Sequence, residues 1–337
     1  MAIPGRDRPT LEAVAAHVGV SRATVSRVVN GSPKVSPEVR QLVEGAVREL
    51  GYVPNLAART LVTQRTETIA MVLSEPESLV LDDPFFSTII RTTSRELSVV
   101  GLQLVLLMVN GEDESRRAER FIAGGHVDGA IALAPHRRDR LPAVVRSLPL
   151  PVVFAGRPWG RVSDLLYVDF DNRAGARTAT RHLFDIGRTK VATVTGPQDE
   201  YAAVQRLRGY RDVAGDADPR LVAQGDYTRP SGEAAMTALL EQSPDIDGVF
   251  VASDAMAAGA LRALSRAGRR IPDDVAVTSY DDVEQISRWT DPPLTTVRQS
   301  VADMGIAVVK LLLARMAGET PVKPVMLPTE LVVRESA

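Results

Sequence analysis

The chain contains no cysteine. This absence excludes disulfide bonds, thiol nucleophiles and cysteine-ligated zinc sites. Lysine occurs only at positions 34, 190, 310 and 323, so arginine supplies nearly all of the positive charge. Aromatic residues make up 4% of the chain, and no apolar run approaches the ~18 residues that a membrane helix requires. The start of the sequence also lacks a charged segment followed by an apolar one, which predicts a cytoplasmic protein without a membrane partner.

Motifs of catalysis are missing as well. The four histidines, His17, His126, His136 and His182, follow neither a metal-ligand spacing nor a catalytic-triad pattern. No Gly-x-Ser-x-Gly motif and no phosphate-binding P-loop occurs. The sequence therefore predicts a protein that is not an enzyme and that uses neither a cofactor nor a metal.

Length and charge indicate two parts. The chain has 337 residues, of which 45% are hydrophobic and 24% charged, as is usual for a small domain joined to a larger one. Its net charge of −2 hides an asymmetry, because residues 1–65 carry nine Lys and Arg against five Asp and Glu. A basic end on an acidic body suits a protein that presents that end to phosphates.

The basic end has the pattern of a helix-turn-helix. Thr10 can cap a first helix, Gly19 breaks it, and Ser21 can cap a second. On the second helix Val25 and Val28 share a face, while Arg22 lies in the first turn, where a recognition helix contacts base edges. The opposite face carries Ala23, Ser26 and Arg27, and Val29 joins the apolar face.

A third helix begins at Ser36-Pro37, with a cap followed by proline at the first helical position. Its apolar positions predict a three-helix core: Val39, Leu42, Val43, Ala46, Val47 and Leu50. The alternative is an ordinary helical bundle with incidental arginines. The agreement of caps, spacing and an exposed Arg/Ser face favours DNA binding.

A breaker cluster, Gly51–Asn55, separates this head from the rest of the chain. Asn55 can cap a short segment over residues 56–62, which is too short to be a stable helix alone. We therefore expect a conditional hinge helix within a linker at residues 54–66, after a DNA-binding domain at residues 1–53.

From Thr68 onward, apolar strands alternate with amphipathic helices. This βα alternation predicts parallel sheets covered on both faces, and the number of strands suggests two doubly wound lobes. Ligands bind at the carboxyl ends of strands in such sheets, so two facing lobes should form a cleft. The predicted strands are 69–73, 102–109, 130–133, 152–155, 167–170, 191–195, 249–252, 275–280 and 330–334.

Taken together, the motifs resemble the LacI/GalR family of bacterial transcription regulators over essentially the whole chain. Those that carry the resemblance are Val20–Gly31, Gly51–Leu61, Asp83–Phe86, Val127–Gly129, Val168–Gly175, Gly209-Tyr210, Ser253-Asp254 and Asp291–Thr296. The resemblance implies a periplasmic-binding-protein-like core at residues 67–337. The first lobe is expected at about 67–170 and 300–325, and the second at about 171–299 and 326–337.

The resemblance also implies a homodimer that reads a near-palindromic operator in double-stranded DNA. Arg22, Ala23 and Arg27 match the base-reading positions of the family, and arginine can form two hydrogen bonds with guanine. Leu61 matches a leucine that enters the minor groove at the dimer centre, although it could instead pack on the core. The remaining expected DNA contacts are Thr10, Ser21, Thr24, Ser26, Asn30, Lys34, Ser36, Asn55 and Ala58.

In the core, the resemblance implies a cleft that binds a small-molecule effector. Aromatic, arginine and aspartate side chains together suit a sugar, although a nucleoside or a protein corepressor remains an alternative. Asp171 and Asp254 could instead be helix caps, since both lie at strand-to-helix turns. The expected effector contacts are Phe85, Phe86, Asp171, Arg206, Tyr227, Ser253, Asp281 and Gln299.

Two departures from the family pattern stand near the cleft. The segment Ser74–Asp82 is longer than usual, and Asp83 replaces a frequent asparagine. The chain ends soon after its last predicted strand without an apolar heptad tail, which favours a dimer over a tetramer. A solute-binding protein with the same core is a competing interpretation, but the head and the missing export signal argue against it.

Overall fold

The computed structural model describes residues 9–29, 31–53, 65–215, 218–320 and 323–337. The chain divides into two compact units, Met1–Thr66 and Glu67–Ala337. In these described ranges, no helix combines the length and the apolar character that crossing a membrane requires.

The first unit contains three helices, α1 (Leu11–Val18), α2 (Arg22–Val29) and α3 (Pro37–Leu50). The predicted caps are confirmed. The Thr10 hydroxyl accepts a hydrogen bond from the Ala13 amide at 3.3 Å, and the Ser36 hydroxyl accepts one from the Val39 amide at 3.4 Å. Gly19 ends α1 in the left-handed conformation, with φ of 70°, which glycine adopts without steric cost.

A small apolar core holds the three helices together. Val14, Val25 and Val43, one from each helix, are fully buried. The prediction that Leu42 joins this core is wrong, since its side chain is 59% exposed. Successive residues of a helix are about 100° apart, so the buried position Val43 turns its neighbour Leu42 toward solvent.

The second unit is built from twelve strands and ten helices among its described residues. The strands are β1 (Thr68–Leu73), β2 (Gln103–Met108), β3 (Gly129–Leu133), β4 (Val152–Ala155), β5 (Leu166–Phe170), β6 (Val191–Thr195), β7 (Val222–Gln224), β8 (Gly248–Val251), β9 (Ala276–Asp281), β10 (Thr295–Arg298), β11 (Val325–Leu327) and β12 (Glu330–Val332). The helices are α4 (Glu77–Asp82), α5 (Pro84–Val99), α6 (Glu112–Ala123), α7 (Leu141–Val144), α8 (Asn172–Asp185), α9 (Tyr201–Ala214), α10 (Arg229–Gln242), α11 (Asp254–Arg266), α12 (Glu284–Ser287) and α13 (Val301–Met316).

The first lobe is a parallel sheet of order β11-β5-β4-β3-β1-β2. Strand β1 shows why it is covered on both faces. Ile69, Met71 and Leu73 pack into one apolar cluster, and the alternate residues Ala70 and Val72 pack into another on the opposite face. Side chains alternate across a strand, so the continuous apolar run of β1 requires helices on both sides, as predicted.

The second lobe repeats this arrangement in the order β12-β10-β9-β8-β6-β7. All pairings are parallel except β10 with β12, which is antiparallel. The predicted two-lobed, doubly wound architecture is therefore confirmed. Each predicted strand is present with small shifts at its ends, whereas β7, β10 and β11 are not among the predicted strands.

The chain passes between the lobes at three places: after β5, between β10 and α13, and between β11 and β12. Strand β11 pairs with β5 of the first lobe, with Val325 opposite Val168 and Leu327 opposite Phe170. The final crossing consequently falls after Leu327, later than the expected boundary at residue 325. The carboxyl ends of β1, β3, β4 and β5 in one lobe and of β6, β8, β9 and β10 in the other border the cleft.

Candidate functional site

The second helix of the head presents a polar face to solvent. Arg22, Ala23 and Arg27 lie on this side of the helix, with Val25 and Val28 buried on the other. Arg22 and Ala23 are exposed, while Thr24, Ser26 and Arg27 lie at least partly open to solvent. The apolar face fixes the helix on the head, so the arginines remain able to reach a groove.

Hydroxyl groups surround this helix as capping residues. Ser21 accepts a hydrogen bond from the Thr24 amide at 3.1 Å, as Thr10 and Ser36 do for their helices. A hydroxyl that accepts in this way also holds a proton to donate, and in Thr10 and Ser36 that proton is directed to the carboxylates of Glu12 and Glu38. Backbone hydrogen bonds and these hydroxyls lower the pKa of both carboxyls. Lys34 is exposed, so a phosphate can also reach its ammonium group.

Arg22 forms an ion pair with Glu12 of α1, with Nε 3.0 Å from Oε1. Both side chains are more than half exposed, so the pair contributes little to stability. An anion that approaches Arg22 would therefore displace Glu12 at small cost. The expected contacts Asn30, Asn55, Ala58 and Leu61 lie outside the described residues and stay predictions.

In the second unit, the two lobes enclose a cavity of about 100 Å³. Seven of the eight expected effector contacts line it, which brings together residues far apart in sequence. These are Phe85, Phe86, Arg206, Tyr227, Ser253, Asp281 and Gln299.

Arg206 of α9 is the centre of the polar wall. It is 5% exposed, and its guanidinium donates to Asn172 Oδ1 at 2.9 Å and to Gln299 Oε1 at 3.3 Å. It also donates to the carbonyl of Ala252 at 2.6 Å, and its Cζ lies 3.7 Å from the centre of the Tyr280 ring. These contacts fix the guanidinium in one orientation before any ligand arrives.

Asp281 accepts hydrogen bonds from Arg206 at 3.3 Å and from the side-chain amide of Gln299 at 2.7 Å. Burial raises the pKa of this carboxyl, and the charge of Arg206 opposes that rise. The backbone of Asp281 has φ of 113°, which is unusual for a residue other than glycine and is common at binding sites. The arrangement offers a hydroxyl-bearing ligand both a donor and an acceptor at fixed positions.

Aromatic rings supply the apolar wall of the cavity. Phe85 and Phe86 meet edge to face, with ring centres 5.3 Å apart. Tyr227, also at a positive φ of 67°, packs its ring directly over Gly196, where a Cβ atom would overlap it. Rings of this kind suit the apolar faces of a sugar.

Asp171, the eighth expected effector contact, does not line the cavity. It caps α8 by accepting from the Ala174 amide at 3.0 Å, and it lies in a surface groove beside Arg173, Arg177 and Asp212. The expectation that it contacts the effector is therefore not supported. Ser253 both caps a helix and lines the cavity. Its hydroxyl caps α11 by accepting a hydrogen bond from the Met256 amide at 3.2 Å.

Several acidic and amide residues of the cavity were not predicted from the sequence. Asp169, at the end of β5, is buried, and burial raises its pKa to about 6. Glu75 and Glu200 follow strands β1 and β6, and Asn172 begins α8. The rule that ligands bind at the carboxyl ends of strands could have found all four.

His136, in the loop after β3, joins the two lobes. Its Nε2 lies 2.9 Å from Glu75 of the first lobe, and its Nδ1 lies 3.0 Å from Asp199 of the second. The hydrogen bond with Glu75 contributes most to raising the pKa of His136 to about 10. Burial raises the pKa of Glu200 to about 8.

Comparison with known proteins agrees with this architecture. Residues 10–55 match the profile of bacterial regulatory proteins of the lacI family, and residues 180–337 match that of a periplasmic binding protein-like domain. The HTH-type transcriptional regulator CelR of Thermobifida fusca is 48% identical over 98% of this chain and 99% of its own length. The chain belongs to the LacI family. It is a helix-turn-helix transcriptional regulator.

Other members of the LacI family are similar along their whole length. The ribose operon repressor of Escherichia coli is 33% identical over 92% of this chain and 94% of its own. A structure of the CelR–cellobiose complex covers 98% of this chain and 100% of its own, at 44% identity and a TM-score of 0.78. The lac repressor dimer bound to operator and an anti-inducer covers 98% of this chain and 99% of its own, at 29% identity and a TM-score of 0.88.

Proposed function

We propose that this regulator is a repressor whose operator affinity is changed by cellobiose, or by a closely related glucose disaccharide, bound between its lobes. The observation that carries the proposal is the buried cluster of Arg206, Asp281, Asn172 and Gln299 beside aromatic rings. Such a wall matches the hydroxyls and apolar faces of a sugar. The similarity to CelR, solved with cellobiose, supports the choice of sugar.

We also propose that two copies of the chain read the two halves of a near-palindrome. Arg22 and Arg27 would contact base edges, and the surrounding hydroxyls would hold phosphates. Leu61 would open the central base step. Exposed apolar residues on the core offer surface for the second copy to cover: Leu81, Val99, Val100, Leu106 and Trp289. A regulator of chromosomal operators acts where the DNA is, in the cytoplasm.

The volume of the cavity suggests how ligand and operator are coupled. Its 100 Å³ is smaller than the ~300–1,000 Å³ of usual small-molecule sites, so a disaccharide requires the lobes to move apart. Three chain crossings allow such a movement. A ligand that favours one lobe arrangement shifts the population of the state that binds DNA.

The first test is selection of preferred DNA from a random duplex pool with the full-length protein. Enrichment of a near-palindrome with a flexible central step supports the dimeric reader. Calorimetric titration with cellobiose, glucose, ribose and adenosine then tests the effector. Tighter binding of ribose or adenosine than of cellobiose would overturn the assignment of the sugar.

We propose further that the cleft binds its ligand without chemical change. CelR and the ribose operon repressor are regulators rather than enzymes by name. Overnight incubation of cellobiose with the protein should return the disaccharide intact by chromatography. Glucose accumulating with time, and not in a sample of heat-denatured protein, would contradict the proposal.

A further inference from the structure

Three side chains with metal-binding atoms meet where the lobes meet. One carboxylate oxygen of Glu75, one imidazole nitrogen of His136 and one carboxylate oxygen of Glu200 all lie within 4.8 Å of one another. Glu75 and His136 belong to the first lobe, and Glu200 belongs to the second. We propose that these residues bind a divalent transition-metal ion, Zn²⁺ being the best suited, which clamps the cleft shut.

His136 is oriented to bind a metal ion. Asp199 Oδ2 lies 3.0 Å from Nδ1 of His136, and a carboxylate in that position holds the Nδ1 proton, so that Nε2 is the nitrogen that can bind a metal once its own proton leaves. Nε2 faces Glu75 Oε1 at 2.9 Å. An ion would replace the proton that these two atoms share, so small side-chain movements would create bonds of ~2.0–2.2 Å.

Glu200 is the second, independent observation. It is only 9% exposed and lines the cavity, yet no residue in the described ranges donates a hydrogen bond to its carboxylate. The cost of burying a carboxylate is high unless a charge or a donor compensates for it. The positive charges of His136 and Arg206 act on this carboxyl only through space, whereas a cation bound at this position would bond to it directly.

Charge and ligand type select the ion. Binding of the ion releases the proton of His136, and two carboxylates and the resulting neutral imidazole then balance the charge of a divalent cation. Because one ligand is imidazole, the set favours Zn²⁺ and related transition metals over Mg²⁺ and Ca²⁺, which prefer oxygen ligands only. Three protein ligands leave a further coordination position open toward the cavity, as in zinc sites that bind water or another small ligand.

Titration of tag-free, chelator-treated full-length protein with Co²⁺ tests the proposal, because cobalt bound to such ligands absorbs visible light and Zn²⁺ displaces it. One equivalent should produce the absorption. His136→Gln should abolish it, and the isosteric Glu200→Gln should weaken Co²⁺ binding at least tenfold. His126→Gln is the matched control, since His126 is exposed and stacks on Phe121.

Zn²⁺ should also raise the thermal midpoint of the wild type and of His126→Gln, but not that of His136→Gln. Absence of visible absorption in the wild type, or equal Co²⁺ binding by all variants, overturns the site. Cellobiose titration of the metal-free protein tests the proposed sugar binding independently of the metal site. If the wild type shows no cobalt absorption and Glu200→Gln no longer binds cellobiose, the Glu200 carboxylate contacts the sugar and not a metal.

Discussion

Replacement of Arg206 by methionine removes the only positive charge that lies within ion-pair distance of Asp281 among the described residues. The two side chains are 6% and 14% exposed, so solvent does not screen the loss. Breaking a buried pair by removing one partner costs about 3–5 kcal/mol, because the carboxylate of Asp281 stays buried with only the hydrogen bond from Gln299 to offset its charge. Arg206→Met should therefore lower the free energy of unfolding by about that amount.

A second change separates this charge effect from lost packing. Asp281→Asn in the Arg206→Met background removes the unpaired carboxylate, so the double variant should be more stable than Arg206→Met alone. The coupling between the two sites should reach about 1–3 kcal/mol. Urea unfolding at neutral pH, followed by circular dichroism for the four proteins of the cycle, measures it.

Arg173→Met is the matched control. Arg173 forms two hydrogen bonds with Asp212, at 2.7 and 2.6 Å, but its side chain is 52% exposed, so its loss should cost less than about 1 kcal/mol. A loss of stability in Arg206→Met no larger than that in Arg173→Met would refute the energetic role of the buried pair. Simple additivity of the Arg206 and Asp281 changes would refute it as well.

Three further predictions concern the cavity and the head. Gly196→Ala places a methyl group against the Tyr227 ring. It should weaken effector binding about tenfold, or about 1.4 kcal/mol, as measured by calorimetry. Unchanged affinity would show that effector binding does not require the ring to stay in this position. Burial raises the pKa of Asp169 from 3.8 to about 6, so the folded state binds more protons than the unfolded state between these values, and stability falls as pH rises through this window. The contribution of Asp169 is roughly 3 kcal/mol at about 1.4 kcal/mol per tenfold change in proton affinity. Glu200 and Asp281, whose pKa values are also raised, add to the same slope. Asp169→Asn should therefore reduce the slope in urea unfolding from pH 4 to 7 without abolishing it, and an unchanged slope would contradict the assignment. Arg27→Ala should weaken operator binding by about 1–3 kcal/mol while nonspecific DNA binding changes little, whereas Lys34→Ala should weaken operator and nonspecific binding equally. Fluorescence anisotropy measures both affinities. An equal loss of the two in Arg27→Ala would identify Arg27 as a phosphate contact.

Local signals made the head predictable from the sequence. Capping residues, a glycine break and apolar spacing depend on neighbours within a few positions. The capping roles of Thr10 and Ser36 and the helix break at Gly19 were therefore predicted correctly. Leu42 was predicted wrongly because an apolar residue that lies beside the buried face of a helix cannot be told from a buried one by residue type alone.

The cavity was only partly predictable, because its shape depends on contacts between distant strands. The short strand β11 was not predicted, since its three residues are all apolar and show no alternation. Its pairing with β5 nevertheless sets the last lobe crossing. Asp171 has the sequence context of a ligand contact, but its side chain caps a helix. Glu75, His136 and Glu200 meet only in the folded protein, so no spacing rule in the sequence could predict the metal site that we propose.

The most direct test of sugar-controlled DNA binding is a titration of cellobiose into a complex of the full-length protein with its selected, fluorescently labelled operator. We predict that anisotropy changes with cellobiose in a saturable way, by at least the roughly fivefold change in affinity that allosteric coupling usually brings, about 1 kcal/mol. We also predict that Arg206→Met, under conditions where it is folded, binds operator but no longer responds to cellobiose. An operator complex indifferent to cellobiose at saturating concentration would contradict the claim that this cleft controls DNA binding through that sugar.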